Sequence, residues 1–82
     1  MARSSPDLVV YTRAGCGLCD EMLADLAAWL AGRDLVAEVR DVDADPAARA
    51  RFGLKVPVLV IDGAPVVSGR LDAGVLDEFF PS

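Results

Sequence analysis

The residues best suited to chemistry are Cys16 and Cys19, with only Gly17 and Leu18 between them. Thiol–disulfide exchange needs a thiolate that attacks and a second thiol close enough to expel the product. A two-residue spacer puts both sulfurs in the first turn of a helix that starts at the pair. The leading sulfur then meets unpaired N–H groups and the positive end of the helix dipole, which favour its thiolate. Cys16 takes that place and reads as the nucleophile; Cys19, further into the helix, reads as the resolving thiol. Arg13 adds a cation to the same rim, and Asp20 and Glu21 oppose it. The pair could instead be half of a metal site shared by two chains, or two buried cysteines without a role. The chain has no His, so the usual imidazole base and nitrogen ligand are missing.

The flanking patterns favour redox chemistry. Leu8-Val9-Val10-Tyr11 is a short apolar run, which predicts a strand buried on both faces. After it the period becomes helical. Leu18, Met22, Leu26, Trp29 and Leu30 form one stripe, Asp20, Glu21 and Asp25 lie opposite, and Gly32 ends the helix. Residues 35–42 alternate and predict a half-exposed strand. Asp45 and Pro46 supply the cap and first position of a short helix that Gly53 closes.

Residues 57–61 read as an apolar strand, and Asp62-Gly63 as a type I′ hairpin turn leading to an edge strand at Pro65-Val66-Val67. Asp72 caps a last helix, with Leu71 and Leu76 as a staple and Leu76, Phe79 and Phe80 as its apolar face. The expected order is β-α-β-α-β-β-α in one α/β domain over residues 1–82, with residues 1–6 a loose arm.

Composition narrows the function classes. Of 82 residues, 54% are hydrophobic and 26% charged, enough for a core and too apolar for a disordered tail. A net charge of −5 disfavours nucleic acid and anionic membranes as partners. Apolar runs are too short to span a bilayer, and two cysteines cannot make a secreted disulfide scaffold. A monomer in the cytoplasm is expected.

Four stretches together resemble the glutaredoxin-like family: Tyr11-Thr12-Arg13-Ala14-Gly15-Cys16-Gly17-Leu18-Cys19, Asp41-Val42-Asp43, Lys55-Val56-Pro57 and Ser68-Gly69. The similarity is closest to small bacterial members with a Gly-Cys-x-Leu-Cys-type site, and it covers nearly the whole chain. It implies a thioredoxin-like fold, a central four-stranded mixed sheet flanked by helices. It also implies that Cys16 and Cys19 are catalytic, that Pro57 follows a cis bond and faces them, and that the Val56 backbone meets an extended substrate. Arg13 would hold a glutathione carboxylate, and Gly69, Arg70 and Asp72 would line the γ-glutamyl end.

The implied substrates are disulfides of proteins or of glutathione, with no tightly bound cofactor and glutathione as a candidate reductant. The sequence departs from the family's usual pattern at three places. Gly17 and Leu18 replace Pro and Tyr, Lys55 replaces Thr, and Leu71 replaces an acidic residue, so weaker glutathione binding is expected. Thioredoxin proper fits less well, because Val10 stands where a buried Asp is kept. The rival reading is a metal-handling or iron–sulfur carrier protein that uses the same cysteines.

Overall fold

The computed structural model describes residues 7–80; the loose arm expected over residues 1–6 lies outside them. The elements are β1 (Leu8–Thr12), α1 (Gly17–Leu30), β2 (Ala37–Asp41), a 3₁₀ turn (Val42–Ala44), α2 (Pro46–Phe52), β3 (Val58–Ile61), β4 (Ala64–Ser68) and α3 (Ala73–Phe79). The sheet order is β2-β1-β3-β4, with β1 parallel to β2 and the other two pairings antiparallel. This is the expected thioredoxin-like architecture, a mixed sheet with helices on both sides.

Alternation along the strands builds two cores, one on each face. Leu8 and Val10 of β1, Leu59 and Ile61 of β3, and Val67 of β4 face α1 and α3, where Met22, Leu26, Trp29 and Leu76 complete the larger core. Val58 and Val60 point the other way and meet Val42 with Ala48 and Phe52 of α2. Trp29 ties α1 to α3, its indole N–H donating to Asp77 at 3.1 Å and its ring packing on Phe80. The caps are those expected: Asp45 accepts the Ala47 N–H at 3.0 Å, and Asp72 accepts the Gly74 N–H at 2.9 Å. Asp62 and Gly63 both take positive φ, as the predicted hairpin turn requires.

Three local expectations need correction. The second strand begins at Ala37 and stops at Asp41, and Val42 turns inward as a fully buried member of the smaller core. As an edge strand paired only to β1, β2 leaves Val39 53% exposed and carries little of the expected half-burial. Phe79 is exposed, and Phe80 is the one that reaches Trp29. Leu18, expected on the core stripe, is 41% exposed, because the side of the first turn of α1 that turns inward is the one carrying Cys19.

Burial sorts these apolar side chains by their effect on stability. Met22→Ala leaves a cavity beneath α1 and should cost about 2–5 kcal/mol in urea unfolding. Leu54→Ala, at a fully exposed position, should stay within about 0.5 kcal/mol. Comparable losses in the two variants would contradict this packing.

Candidate active site

Strand register gathers the predicted residues at one edge of the sheet. Thr12 pairs with Asp41, Tyr11 with Val58, and Val58 with Ser68. The ends of β1, β2 and β4 and the start of β3 therefore lie side by side. Arg13 and Cys16 follow β1, Val56 and Pro57 precede β3, and Gly69, Arg70 and Asp72 follow β4.

Cys16 is the N-cap of α1. Its backbone is extended (φ −96°, ψ 109°), and its Sγ accepts the Cys19 N–H at 3.1 Å. The preceding turn is closed by the Cys16 N–H donating to the Arg13 carbonyl at 3.3 Å, with Gly15 at φ 76° supplying the left-handed residue. The two cysteines are joined as a disulfide, with Cα atoms 5.2 Å apart. Their exposures differ: Cys16 is half-buried, whereas Cys19 is 1% exposed and lies in the first buried turn of the helix. An incoming group can reach only the outer sulfur. Among the described residues, no three His, Cys, Asp or Glu side chains cluster as a metal site.

The opposite lip is the segment before β3. The Val56–Pro57 bond is cis, and Pro57 is buried. The Pro57 carbonyl accepts the Gly69 N–H at 2.9 Å, and the Lys55 carbonyl accepts the Ser68 hydroxyl at 2.8 Å. These two bonds fasten the lip to the end of β4. Among the described residues, the half-buried Val56 has neither its N–H nor its C=O in a hydrogen bond. Lys55 is exposed and forms no ion pair among them.

Arg13 lies at this edge but turns its guanidinium toward the protein. Its Nε and Nη2 donate to the two Asp43 oxygens at 2.8 and 2.9 Å, and its Nη1 donates to the Gly53 carbonyl at 2.7 Å. The hydrogen bond from Arg13, aided by its charge, holds the Asp43 carboxyl below the usual carboxylate range. A carboxyl lowered on folding contributes stability above its unfolded pKa and loses it as pH falls through the folded value. The pair therefore persists at neutral pH and opens only in acid.

Sequence reasoning noted Asp43 only inside a resembling run and Gly53 only as a helix stop. An acidic residue just after a strand, with no place on an apolar stripe, was the available signal. Arg70 is 81% exposed, and its guanidinium lies 3.9 Å from Glu21 of α1. The Asp72 carboxylate is occupied as the α3 cap, and Leu71 packs against the larger core. The structure thus brings Cys16, Cys19, Val56, Pro57 and Gly69 to one edge, and it gives Arg13 and Asp72 partners of their own.

Comparison with known proteins agrees with this geometry. Residues 7–80 match the model of the glutaredoxin-like domain (DUF836). An uncharacterized protein of Mycobacterium tuberculosis is 41% identical over 66 residues, 73% of this chain and 67% of that protein. The solution structure of a Nitrosomonas europaea protein superposes with a TM-score of 0.82 at 28% identity, covering 96% of this chain and 95% of that one. The crystal structure of a mutant thioredoxin-like protein gives a TM-score of 0.57 at 26% identity, with 89% of this chain and 97% of that one covered. The family match spans every strand and helix described above, so the chain belongs to the glutaredoxin-like domain family.

Proposed function

We propose that this protein is a dithiol thiol–disulfide oxidoreductase. The Cys16 thiolate attacks one sulfur of a substrate disulfide, forms a mixed disulfide and releases the other sulfur as a thiolate. Cys19, after losing its proton, attacks the Cys16 sulfur and releases the second substrate thiolate. The substrate gains two electrons, and the pair is left as the Cys16–Cys19 disulfide. A thiol reductant, glutathione being a candidate, returns it to the dithiol. One observation carries this reading: a reachable Cys16 Sγ accepts the helix N–H of a buried Cys19. A thiolate accepts that bond more strongly than a thiol, and the helix terminus favours the same charge.

The substrate is a disulfide-bearing polypeptide or a glutathione mixed disulfide. Unpaired backbone groups at Val56, beside the half-buried Cys16 loop, suit an extended segment that pairs through its main chain. Lys55 offers a cation for a carboxylate, and Gly69, Arg70 and Asp72 follow β4 at the same end of the sheet. A monomer in the cytoplasm, where low-molecular-weight thiols keep cysteines reduced, fits a reductant of this kind.

Two outcomes follow from this site. Cys16→Ser should abolish disulfide reduction, whereas Cys19→Ser should accumulate a mixed disulfide visible by intact mass. Mixed disulfide trapped on Cys19 in a Cys16→Ser variant at the wild-type rate would reverse the assignment.

The second outcome concerns glutathione affinity. A charge-assisted hydrogen bond to the γ-glutamyl ammonium is worth ~1.5–3 kcal/mol, and Leu71 cannot make one. Glutathione titrated into Cys19→Ser and followed by NMR should bind roughly ten- to a hundredfold more weakly than to a glutaredoxin with an acidic residue at that place. Equal affinity would mean that another group holds the ammonium.

A further inference from the structure

We infer that Arg13 is a positioning residue: with Asp43 and Gly53 it clamps the Cys16 loop to the segment that carries Val56 and Pro57. This deepens the reading above and rests on Cys16 as the attacking thiol. The family resemblance gives Arg13 to a substrate carboxylate. Its guanidinium instead makes three hydrogen bonds within the protein.

An exposed ion pair by itself contributes little. Here the planar fork engages both carboxylate oxygens, and a further N–H reaches a backbone carbonyl, so the group is fixed in plane and direction. Both anchors are themselves held. Asp41 accepts the Asp43 N–H at 2.9 Å, which sets the 3₁₀ turn. Gly53 closes α2 by donating to the Arg49 carbonyl at 2.9 Å. A Cβ at position 53 would lie 2.5 Å from that carbonyl oxygen, so a side chain there would shift the end of α2 that presents the Gly53 carbonyl to Arg13. From Gly53 the chain runs directly into Lys55, Val56 and Pro57. At its other end, the Arg13 carbonyl accepts the Cys16 N–H. One residue thus holds the opposite lip through its side chain and the N-cap cysteine through its backbone.

Geometry and charge predict different signs. The guanidinium faces Asp43 and Asp41, and the Asp43 carboxylate faces Arg13 and Arg49. If only charge mattered, removing the Arg13 cation would disfavour a Cys16 thiolate, and removing the Asp43 anion would favour it. If the clamp matters, either removal loosens the Cys16 turn and acts in the same direction.

The test is iodoacetamide alkylation of Cys16 in the reduced full chain across pH. The variants are Arg13→Gln, Asp43→Asn, Arg13→Lys and the double Arg13→Gln/Asp43→Asn, each checked for folding by circular dichroism. Arg13→Gln and Asp43→Asn should each slow alkylation at pH 7 by roughly threefold or more and raise its pH midpoint. The double variant should be no worse than either single one, and Arg13→Lys should fall between them and wild type. Reduction of bis(2-hydroxyethyl) disulfide, which has no carboxylate, should drop in parallel.

Opposite shifts in Arg13→Gln and Asp43→Asn would reduce the effect to charge and overturn the clamp. Unaltered alkylation, with losses confined to glutathione mixed disulfides, would return Arg13 to the substrate carboxylate and overturn it equally. If Arg13→Gln does not fold, Asp43→Asn and Arg13→Lys decide by the same signs. Alkylation needs no substrate, so a wild-type protein that reduces no disulfide would refute the proposed function and leave this test readable.

Discussion

The site depends on one turn of chain, the one that makes Cys16 the N-cap of α1. Once its Sγ accepts the Cys19 N–H, the two sulfurs are divided between solvent and core. The direction of the helix fixes that division. Cys19, Met22, Leu26 and Trp29 are its buried side chains, and three of them pack on Leu8, Val10, Leu59 and Ile61 of the sheet. Rotating α1 enough to expose Cys19 would lift Met22 and Leu26 out of that core as well. The unequal reach of the two thiols is therefore held by hydrophobic burial, a far larger quantity than any single hydrogen bond at the site.

The second face of the sheet serves the site differently. Val42, Ala48, Phe52, Val58 and Val60 form a small core that seats α2 and the 3₁₀ turn. Those two elements deliver Gly53 and Asp43 to Arg13, so the lip before β3 is held from below by packing and from the side by charge-assisted bonds. Bonds from Ser68 and Gly69 complete its support from β4. On the proposed function, a segment held on both sides, with its Val56 groups unpaired among the described residues, would meet an extended substrate at little ordering cost.

Much of this was legible in the amino-acid sequence, because the signals are local and chemically specific. Asp45 with Pro46, Asp72, and the Asp62-Gly63 pair each act within a few residues, and each took its expected role. The cysteine spacing located the helix start for the same reason. Periodicity carries no information about which strand is an edge, so the alternation of β2 predicts more burial than an edge strand has. It also cannot say which of two neighbours in a first turn faces inward, and Cys19 takes the place expected of Leu18. The Arg13–Asp43 contact joins residues 30 apart in sequence, with no repeat to announce it. The cis bond before Pro57 was expected from family resemblance alone, since such bonds make up only about 5% of X–Pro bonds.

On the proposed function, Cys16–Cys19 is a working redox couple and not a structural brace. Its reduction potential tests this most directly, measured by equilibrating the full chain in graded glutathione or dithiothreitol buffers and quantifying the free thiols by mass. A couple built on a reachable N-cap sulfur should cycle reversibly at roughly −120 to −270 mV, the range of catalytic pairs in thioredoxin-like proteins. A potential below about −300 mV, where structural disulfides lie, would make the pair a brace and not a catalyst.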